Sequence, residues 1–277
     1  MDAEIILAND PDADRIGVVV KRNGIWELMS GNDLAGLTLD YLCSQKGLKG
    51  AVVSTVVTSD FMAEVARAHG LPVVWTLTGF KNIAVCMDRL EALDEAYAFS
   101  AEESYGMLLP PSLRDKDGVT AALVVAEMAG HYKAMGQTLF DAVDALMAKV
   151  GIFHNRLVNL EDPKPGGAKR FAEAMTRIRA AGLTAFAGEK VVSWEDFQAG
   201  EWHGEGRVEP ILDRPGNRAA AQPLDRSNVL KFRLESGAFA AFRPSGTEPK
   251  LKVYLQSRSD AGLLDRMEAE ARSLLGL

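Results

Sequence analysis

From residue 31 to residue 150 the sequence alternates between β-branched runs and segments of helical length, and no other feature restricts the fold as much. "NDLAGLTLDYLCSQKG" carries apolar residues at helical spacing, with Asn32 or Asp33 expected to cap it. "AVVSTVVTSD" is nearly continuous in β-branched residues, as a strand buried on both faces should be, and it ends in helix-cap residues. "FMAEVARAHG" reads as a helix closed by Gly70. "PVVWTLT", "FKNIAVCMDRLEAL" and "AYAFSAEES" continue as strand, helix and strand. "VTAALVVAEMAGHYKAMG" and "TLFDAVDALMAKVG" are two further helices. Such alternation implies a parallel sheet covered on both faces. Ligands of such sheets sit beyond the carboxyl ends of the strands. Three polar segments fall there: "TSD" (58–60), "TGFK" (78–81) and "AEES" (101–104).

The flanks read differently. Residues 4–30 give strand, loop and strand, then the hairpin signal "RNG" and a return strand "IWELMS". The first strand starts at about residue 4, and its partners are expected to come from upstream, which would leave it orphaned. After residue 150, "HNRLVNL" is a strand, "AKRFAEAMTRIRAAG" a helix, and a strand pair surrounds "EKVVSWEDF". The stretch "EWHGEGRVEPILDRPGNRAAAQPLDRS" is polar and rich in Gly and Pro, and is expected to be loop. "NVLKFRLE", "AFAAFRPS" and "KLKVYLQS" are alternating strands. A final helix over 260–275 puts Leu263, Met267, Ala271 and Leu274 on one face. The expected class is α/β, with a mixed βαβ sheet domain followed by a smaller α+β C-terminal domain.

With 277 residues, 47% hydrophobic and 25% charged, the chain can bury real cores. The net charge of −7 argues against broad nucleic-acid binding, which needs a basic surface. Two cysteines, Cys43 and Cys86, make no disulfide framework and point to a reducing, cytoplasmic setting. No stretch has the apolar length of a membrane span, and "MDAEIILAND" is not a secretory signal.

Chemistry concentrates in a few loops. In "NDPDADR" Asp10, Asp12 and Asp14 alternate, and alternate positions of an extended segment point the same way. Three converging carboxylates repel unless a cation joins them. Oxygen ligands at octahedral geometry suit Mg²⁺, which keeps a position for a substrate phosphate. An EF-hand is excluded, because its sixth position is Arg15 instead of Gly and its twelfth is Lys21 instead of Glu. A phosphatase with an aspartate nucleophile and a solvated acidic turn both remain open at this point. In "AFRPSGTEPKLKVY" a turn at Gly246 aims successive N–H groups inward. Ser245 and Thr247 add hydroxyls there, Arg243 a bidentate fork, and Lys250 and Lys252 further charge. The combination favours a phosphate site over the plainer reading of a hairpin turn with incidental cations, which stays open at this point. In "FSAEESYGML", Glu102, Glu103 and Ser104 at a strand end suit vicinal sugar hydroxyls, or simply begin a helix. Lys81 and Lys116 stand beside glycine-bearing turns, placed to meet a phosphate or to act as a base, or merely exposed. The four histidines show no metal spacing, and no nucleotide-binding fingerprint is present.

Taken in order, "NDPDADR", "TLTGFK", "AEESYG", "DKDG" and "RPSGTEPKLKVY" resemble the α-D-phosphohexomutases, the phosphoglucomutase/phosphomannomutase family. Their wording is most similar to the bacterial phosphoglucomutase and phosphopentomutase branch. The resemblance implies four domains around a cleft. It implies phosphate transfer between two oxygens of a hexose or pentose phosphate through a bisphosphorylated sugar, with a phosphoserine as donor. It implies one Mg²⁺ on Asp10, Asp12 and Asp14, with Arg15 near the same phosphate. Glu102 and Ser104 would hold sugar hydroxyls, and Arg243, Ser245, Gly246, Thr247 and Lys252 the phosphate that is not reacting. Lys116 is similar to a lysine proposed as general base in some members, and Lys81 is a second candidate. Sugar phosphates, with glucose 1,6-bisphosphate as intermediate and activator, are the implied partners. Neither nucleic acid nor membrane is.

The family's phosphoserine segment, similar to T-A-S-H-N-P, has no match, and the sole "HN" is His154–Asn155 after Phe153. The expectation is therefore a C-terminal part: 1–28 as the tail of the second domain with the metal loop, 29–150 as the third and 151–277 as the fourth. A missing N-terminal half is a further expected partner. The rivals are a non-catalytic sugar-phosphate-binding truncation and a Mg²⁺-dependent phosphatase with Asp10 as nucleophile.

Overall fold

The computed structural model describes residues 3–109, 113–211, 226–245, 248–258 and 260–276. They fall into two compact units that meet in sequence between Gly151 and Ile152. Among the described residues no helix is long and apolar enough to cross a membrane.

The first unit holds two sheets. β1 (Ile5–Asn9), β2 (Ile16–Arg22) and β3 (Ile25–Leu28) form an antiparallel meander. Its hairpin turns on Asn23 and Gly24, both at positive φ (52° and 82°), as a two-residue turn between twisted strands requires. The expected orphan strand is not orphaned: β1 pairs with β2 along its length, from Ile5↔Val20 to Asn9↔Ile16. Ile16, Val18 and Val20 are buried. The helices α4 (Gly118–Ala134) and α5 (Leu139–Val150) contact β2.

The second sheet has the order β5 (Val73–Thr76), β4 (Ala51–Thr55), β6 (Tyr97–Ala101), β7 (Met107–Leu108). The first three strands are parallel. β7, which the sequence pattern did not reveal, returns antiparallel to β6. All five residues of β4 are buried, which explains why it carries no charged residue and is apolar from Ala51 to Val53. Ala51 and Val53 pack with Ile83, Met87 and Leu90 of α3 (Phe80–Ala92). Alternate strand residues point to the opposite face, where α1 (Gly31–Lys46) and α2 (Asp60–Ala68) pack on each other and on the strands.

The cap of α1 differs from expectation. Ser30 is the N-cap and accepts from the Asp33 N–H at 3.1 Å. Asn32 lies inside the helix and accepts instead from the Ser59 N–H at 3.1 Å, tying α1 to the start of α2.

The second unit is one antiparallel sheet, ordered β12 (Arg207–Pro210), β11 (Glu201–Gly204), β10 (Glu189–Asp196), β13 (Leu230–Leu234), β14 (Phe239–Pro244), β15 (Lys250–Ser257), β8 (His154–Glu161), with β9 (Ala185–Phe186) on β10. The core joins Phe232, Phe242 and Val253 to Phe171, Met175 and Ile178 of α6 (Gly167–Ala181) and to Met267 and Ala271 of α7 (Leu263–Leu275). On α7 Leu263, Met267 and Ala271 are buried as expected, with Leu264 and Leu275; Leu274 packs at the margin. One correction concerns "EWHGEGRVEP", which is a hairpin and not a loop, turning on Glu205 and Gly206 at φ 53° and 74°. β12 is mostly exposed and β11 fully buries only Trp202, so both are largely polar, which hid them. The rest of that expected loop from 212 to 225 lies outside the described residues.

The carboxyl ends of β4, β5 and β6 carry the three polar segments, and helix packing sets their spacing. At Gly31 an added Cβ would lie 2.3 Å from the Glu103 carbonyl oxygen. Gly31→Ala should therefore destabilise the chain by about 1–3 kcal/mol, read as a lowered urea midpoint.

Candidate functional site

Residues 10–15 join β1 to β2 as a tight turn. The Ala13 N–H donates to the Asp10 carbonyl at 2.9 Å, and Ala13 adopts φ 56°. Asp10 Oδ1 accepts from the N–H groups of Asp14 (3.2 Å) and Arg15 (3.0 Å). Convergence of Asp10, Asp12 and Asp14 therefore comes from a self-capped turn, not from an extended segment. One carboxylate oxygen from each lies within 4.8 Å of the others. The neck is closed by the Asn9 side-chain amide, which donates to the Arg15 carbonyl at 2.7 Å.

Two cations stand among these carboxylates. Arg15 Nη1 lies 3.2 Å from Asp10 Oδ2 and 3.9 Å from Asp14 Oδ1. The Lys116 ammonium pairs with Asp14 Oδ2 and lies 3.5 Å from Asp115 Oδ1. Burial alone would raise the Asp10 pKa, but the Arg15 N–H and guanidinium outweigh it and the carboxyl falls below its ordinary value. At Lys116 burial acts to lower the pKa, and the bonds to Asp14 and Asp115 reverse it, so the amine is held protonated above its ordinary value. Asp14 Oδ1 is buried with no hydrogen bond. An orphaned carboxylate oxygen within a three-carboxylate cluster is the donor set that a hard divalent cation satisfies.

The second loop is stitched to the first. The Ile16 N–H donates to the Tyr105 carbonyl at 3.2 Å, and Arg15 and Gly106 form an isolated bridge. The Glu102 N–H donates to Gly106 at 2.9 Å, which closes a turn over Glu102, Glu103 and Ser104. Glu102 is buried, and its Oε1 accepts from the Gly79 N–H at 2.6 Å. Ser104 is half-buried. Glu103 Oε2 accepts from Thr58 Oγ1 at 3.0 Å. The segments 58–60 and 78–81 are thus each bonded to the segment 101–104 at one edge of the sheet. Lys81, next after Phe80 at the start of α3, is exposed.

In the second unit Arg243 and Lys252 are register partners on β14 and β15, so both side chains leave the same face. Arg243 Nη1 contacts the Tyr254 hydroxyl at 3.5 Å. Ser245 Oγ accepts from the Glu248 N–H at 3.2 Å, and the Ser245 N–H donates to Lys250 at 2.8 Å. Lys250 is engaged by Glu161 and Glu248 at 3.4 Å each. Gly246 and Thr247 lie outside the described residues.

Comparison with known proteins settles the lineage. Residues 30–150 match the family model described as phosphoglucomutase/phosphomannomutase, alpha/beta/alpha domain III, and residues 158–273 that of the C-terminal domain. The chain belongs to the α-D-phosphohexomutase family. It is 31% identical over 263 residues to a phosphoglucomutase of Staphylococcus epidermidis, an alignment covering 94% of this chain and 46% of that one. It is 33% identical over 273 residues to a Haemophilus influenzae protein named probable phosphomannomutase, covering 97% and 49%. The chain spans about half the length of the curated relatives it matches. In fold it resembles parafusin, a Paramecium phosphoglucomutase in its open form (TM-score 0.64, 19% identity, 99% of this chain and 44% of that one). It also resembles a phosphoglucomutase/phosphomannomutase family protein of Burkholderia thailandensis (TM-score 0.60, 18% identity, 99% and 47%).

Within this phosphohexomutase fold some site-shaping residues escaped the sequence reading. Gly118 donates its N–H to the Ala13 carbonyl at 3.0 Å, and a Cβ there would lie 2.4 Å from Asn9 Nδ2 and 2.5 Å from the Arg15 carbonyl oxygen. Gly106 makes room for the Lys116 stem and the Phe80 ring, each 2.8 Å from where its Cβ would be. The signal was present in "DKDG" and "SYG", whose glycines stand two residues after Lys116 and Ser104, but a glycine does not announce which backbone approaches it. Gly118→Ala should push the aspartate turn away and lower divalent-cation affinity roughly 10–100-fold, measured by Mn²⁺ titration. Unchanged affinity would separate Gly118 from the site.

Proposed function

We propose that this chain supplies the metal, sugar and distal-phosphate parts of a phosphoglucomutase/phosphomannomutase-type intramolecular phosphotransferase. What carries the reading is the bonding of the Asp10, Asp12 and Asp14 cluster, through Arg15, Ile16, Tyr105 and Gly106, to the loop bearing Glu102 and Ser104. In this reading residues 1–28 end the second domain, 29–150 form the third and 151–277 the fourth. Asp10, Asp12 and Asp14 hold one Mg²⁺, which when bound neutralises charge on the transferring phosphoryl group.

Arg15 offers a guanidinium to the same phosphate from beside Asp10. Glu102, with Oε1 fixed by the Gly79 N–H, and Ser104 orient vicinal hydroxyls of the sugar. Lys116, the candidate base, can take the proton of the attacking hydroxyl only after it leaves Asp14, which holds it protonated, and Lys81 adds charge for a phosphate. Arg243, Ser245, Gly246, Thr247 and Lys252 bind the phosphate that does not react. The substrates are hexose or pentose phosphates, with glucose 1,6-bisphosphate as the bisphosphorylated intermediate. No serine of this sequence is followed by His-Asn, so the phosphoryl donor is assigned to sequence outside these 277 residues. The same observation favours a second reading, in which the chain binds sugar phosphates without turnover.

Calorimetry with glucose 1,6-bisphosphate tests the proposal. One molecule should bind per chain in the presence of Mg²⁺, and Arg243→Ala should weaken binding about 10–100-fold, the worth of a charge-assisted bond. The chain alone should neither convert glucose 1-phosphate nor release inorganic phosphate. Absence of binding would overturn the proposal, and phosphate release abolished by Asp10→Asn would replace it with a phosphatase.

A further inference from the structure

Lys116 is set against Asp14 with more care than a stray ion pair needs. It stands about a hundred residues downstream of its partner, and it is carried there by two backbone bonds. Asp117 N–H donates to Met107 at 3.0 Å on one side, and Gly118 N–H donates to Ala13 at 3.0 Å on the other. Its side chain is only 15% exposed, and its stem lies in space that Gly106 leaves free. The ammonium takes Asp14 Oδ2, while Asp14 Oδ1 is buried and unbonded. A divalent cation shared by Asp10, Asp12 and Asp14 needs that same carboxylate. A monovalent and a divalent cation on one carboxylate would face each other within a few ångströms in a partly desolvated site, where like charges repel strongly. The ammonium has a second place to go, since Asp115 Oδ1 lies 3.5 Å from it and the face of the Phe80 ring 5.7 Å.

We infer that Lys116 is a built-in competitor of the divalent cation: it holds Asp14 until the cation enters, then swings toward Asp115 and Phe80. The inference rests on the proposed reading of the three aspartates as metal ligands. It adds that cation occupancy and lysine position are a single equilibrium, so each weakens the other's hold on Asp14 by the same factor. The charge of the three carboxylates is then offset in part by lysine and arginine in one state, and in full by metal and arginine in the other. The lysine leaves Asp14 for Asp115 and Phe80 only when the metal is in place.

Mn²⁺ is the probe, its free concentration read by electron paramagnetic resonance at fixed ionic strength on the whole chain. Lys116→Met should bind Mn²⁺ on the order of tenfold more tightly than the parent, because one competing charge is gone. Lys116→Arg, which keeps the charge, should stay near the parent. So should Lys133→Met, which removes an exposed lysine paired with Glu4. Circular dichroism and a urea midpoint check folding, and Lys116→Gln replaces the Met variant if that one does not fold. Equal or weaker Mn²⁺ binding by the uncharged variants, with the parent binding normally, overturns the competition alone. Failure of parent and variants alike to bind Mn²⁺ overturns the metal reading and the competition with it.

Discussion

Three carboxylates held within 4.8 Å of each other repel, and much of the first unit is arranged to hold them there. The turn is capped by its own Asp10 side chain and cinched by Asn9. It is braced from outside by Gly118, whose lack of a side chain lets the start of α4 touch the backbone at Ala13 and Arg15. Arg15 and Lys116 offset part of the charge. None of these contacts would hold the turn alone. Together they preorganise a negative pocket that a divalent cation can complete.

The brace also explains how the site joins two sheets. α4 packs on the meander that carries the aspartates, and the segment leading into it bonds to β7, the strand that returns from the Glu102 loop. Gly79, at the carboxyl end of β5, then fixes Glu102 from the other side. Binding groups are thus placed by backbone hydrogen bonds at strand ends, on loops that the sheet scaffold positions. In the second unit the same device appears in simpler form, with Arg243 and Lys252 facing each other across one antiparallel pair.

Much of this was legible beforehand, for a physical reason. β4 is small, uncharged and rich in β-branched residues because both its faces are covered, so its sequence declared it. The aspartates and the Glu102 loop were legible because charge clustered at strand ends is costly without a purpose. What stayed hidden depended on long-range partners. In the hairpin of β11 and β12 only Trp202 is fully buried, so most of its residues are those of a loop. Ser30, not Asn32, caps α1 because Asn32 is drawn to the Ser59 N–H, which no local rule reveals. β1 finds its partner downstream in β2, although the sequence suggested partners upstream. The pairing of Lys116 with Asp14 requires the whole first unit to be folded.

The account stands or falls on what the aspartate turn holds. Crystals of the chain soaked in Mn²⁺ and measured at the manganese absorption edge give the most direct answer. The account predicts one anomalous peak within coordination distance (about 2.1–2.3 Å) of carboxylate oxygens from Asp10, Asp12 and Asp14. A fully loaded crystal with its manganese elsewhere, or with none at this turn, would contradict it.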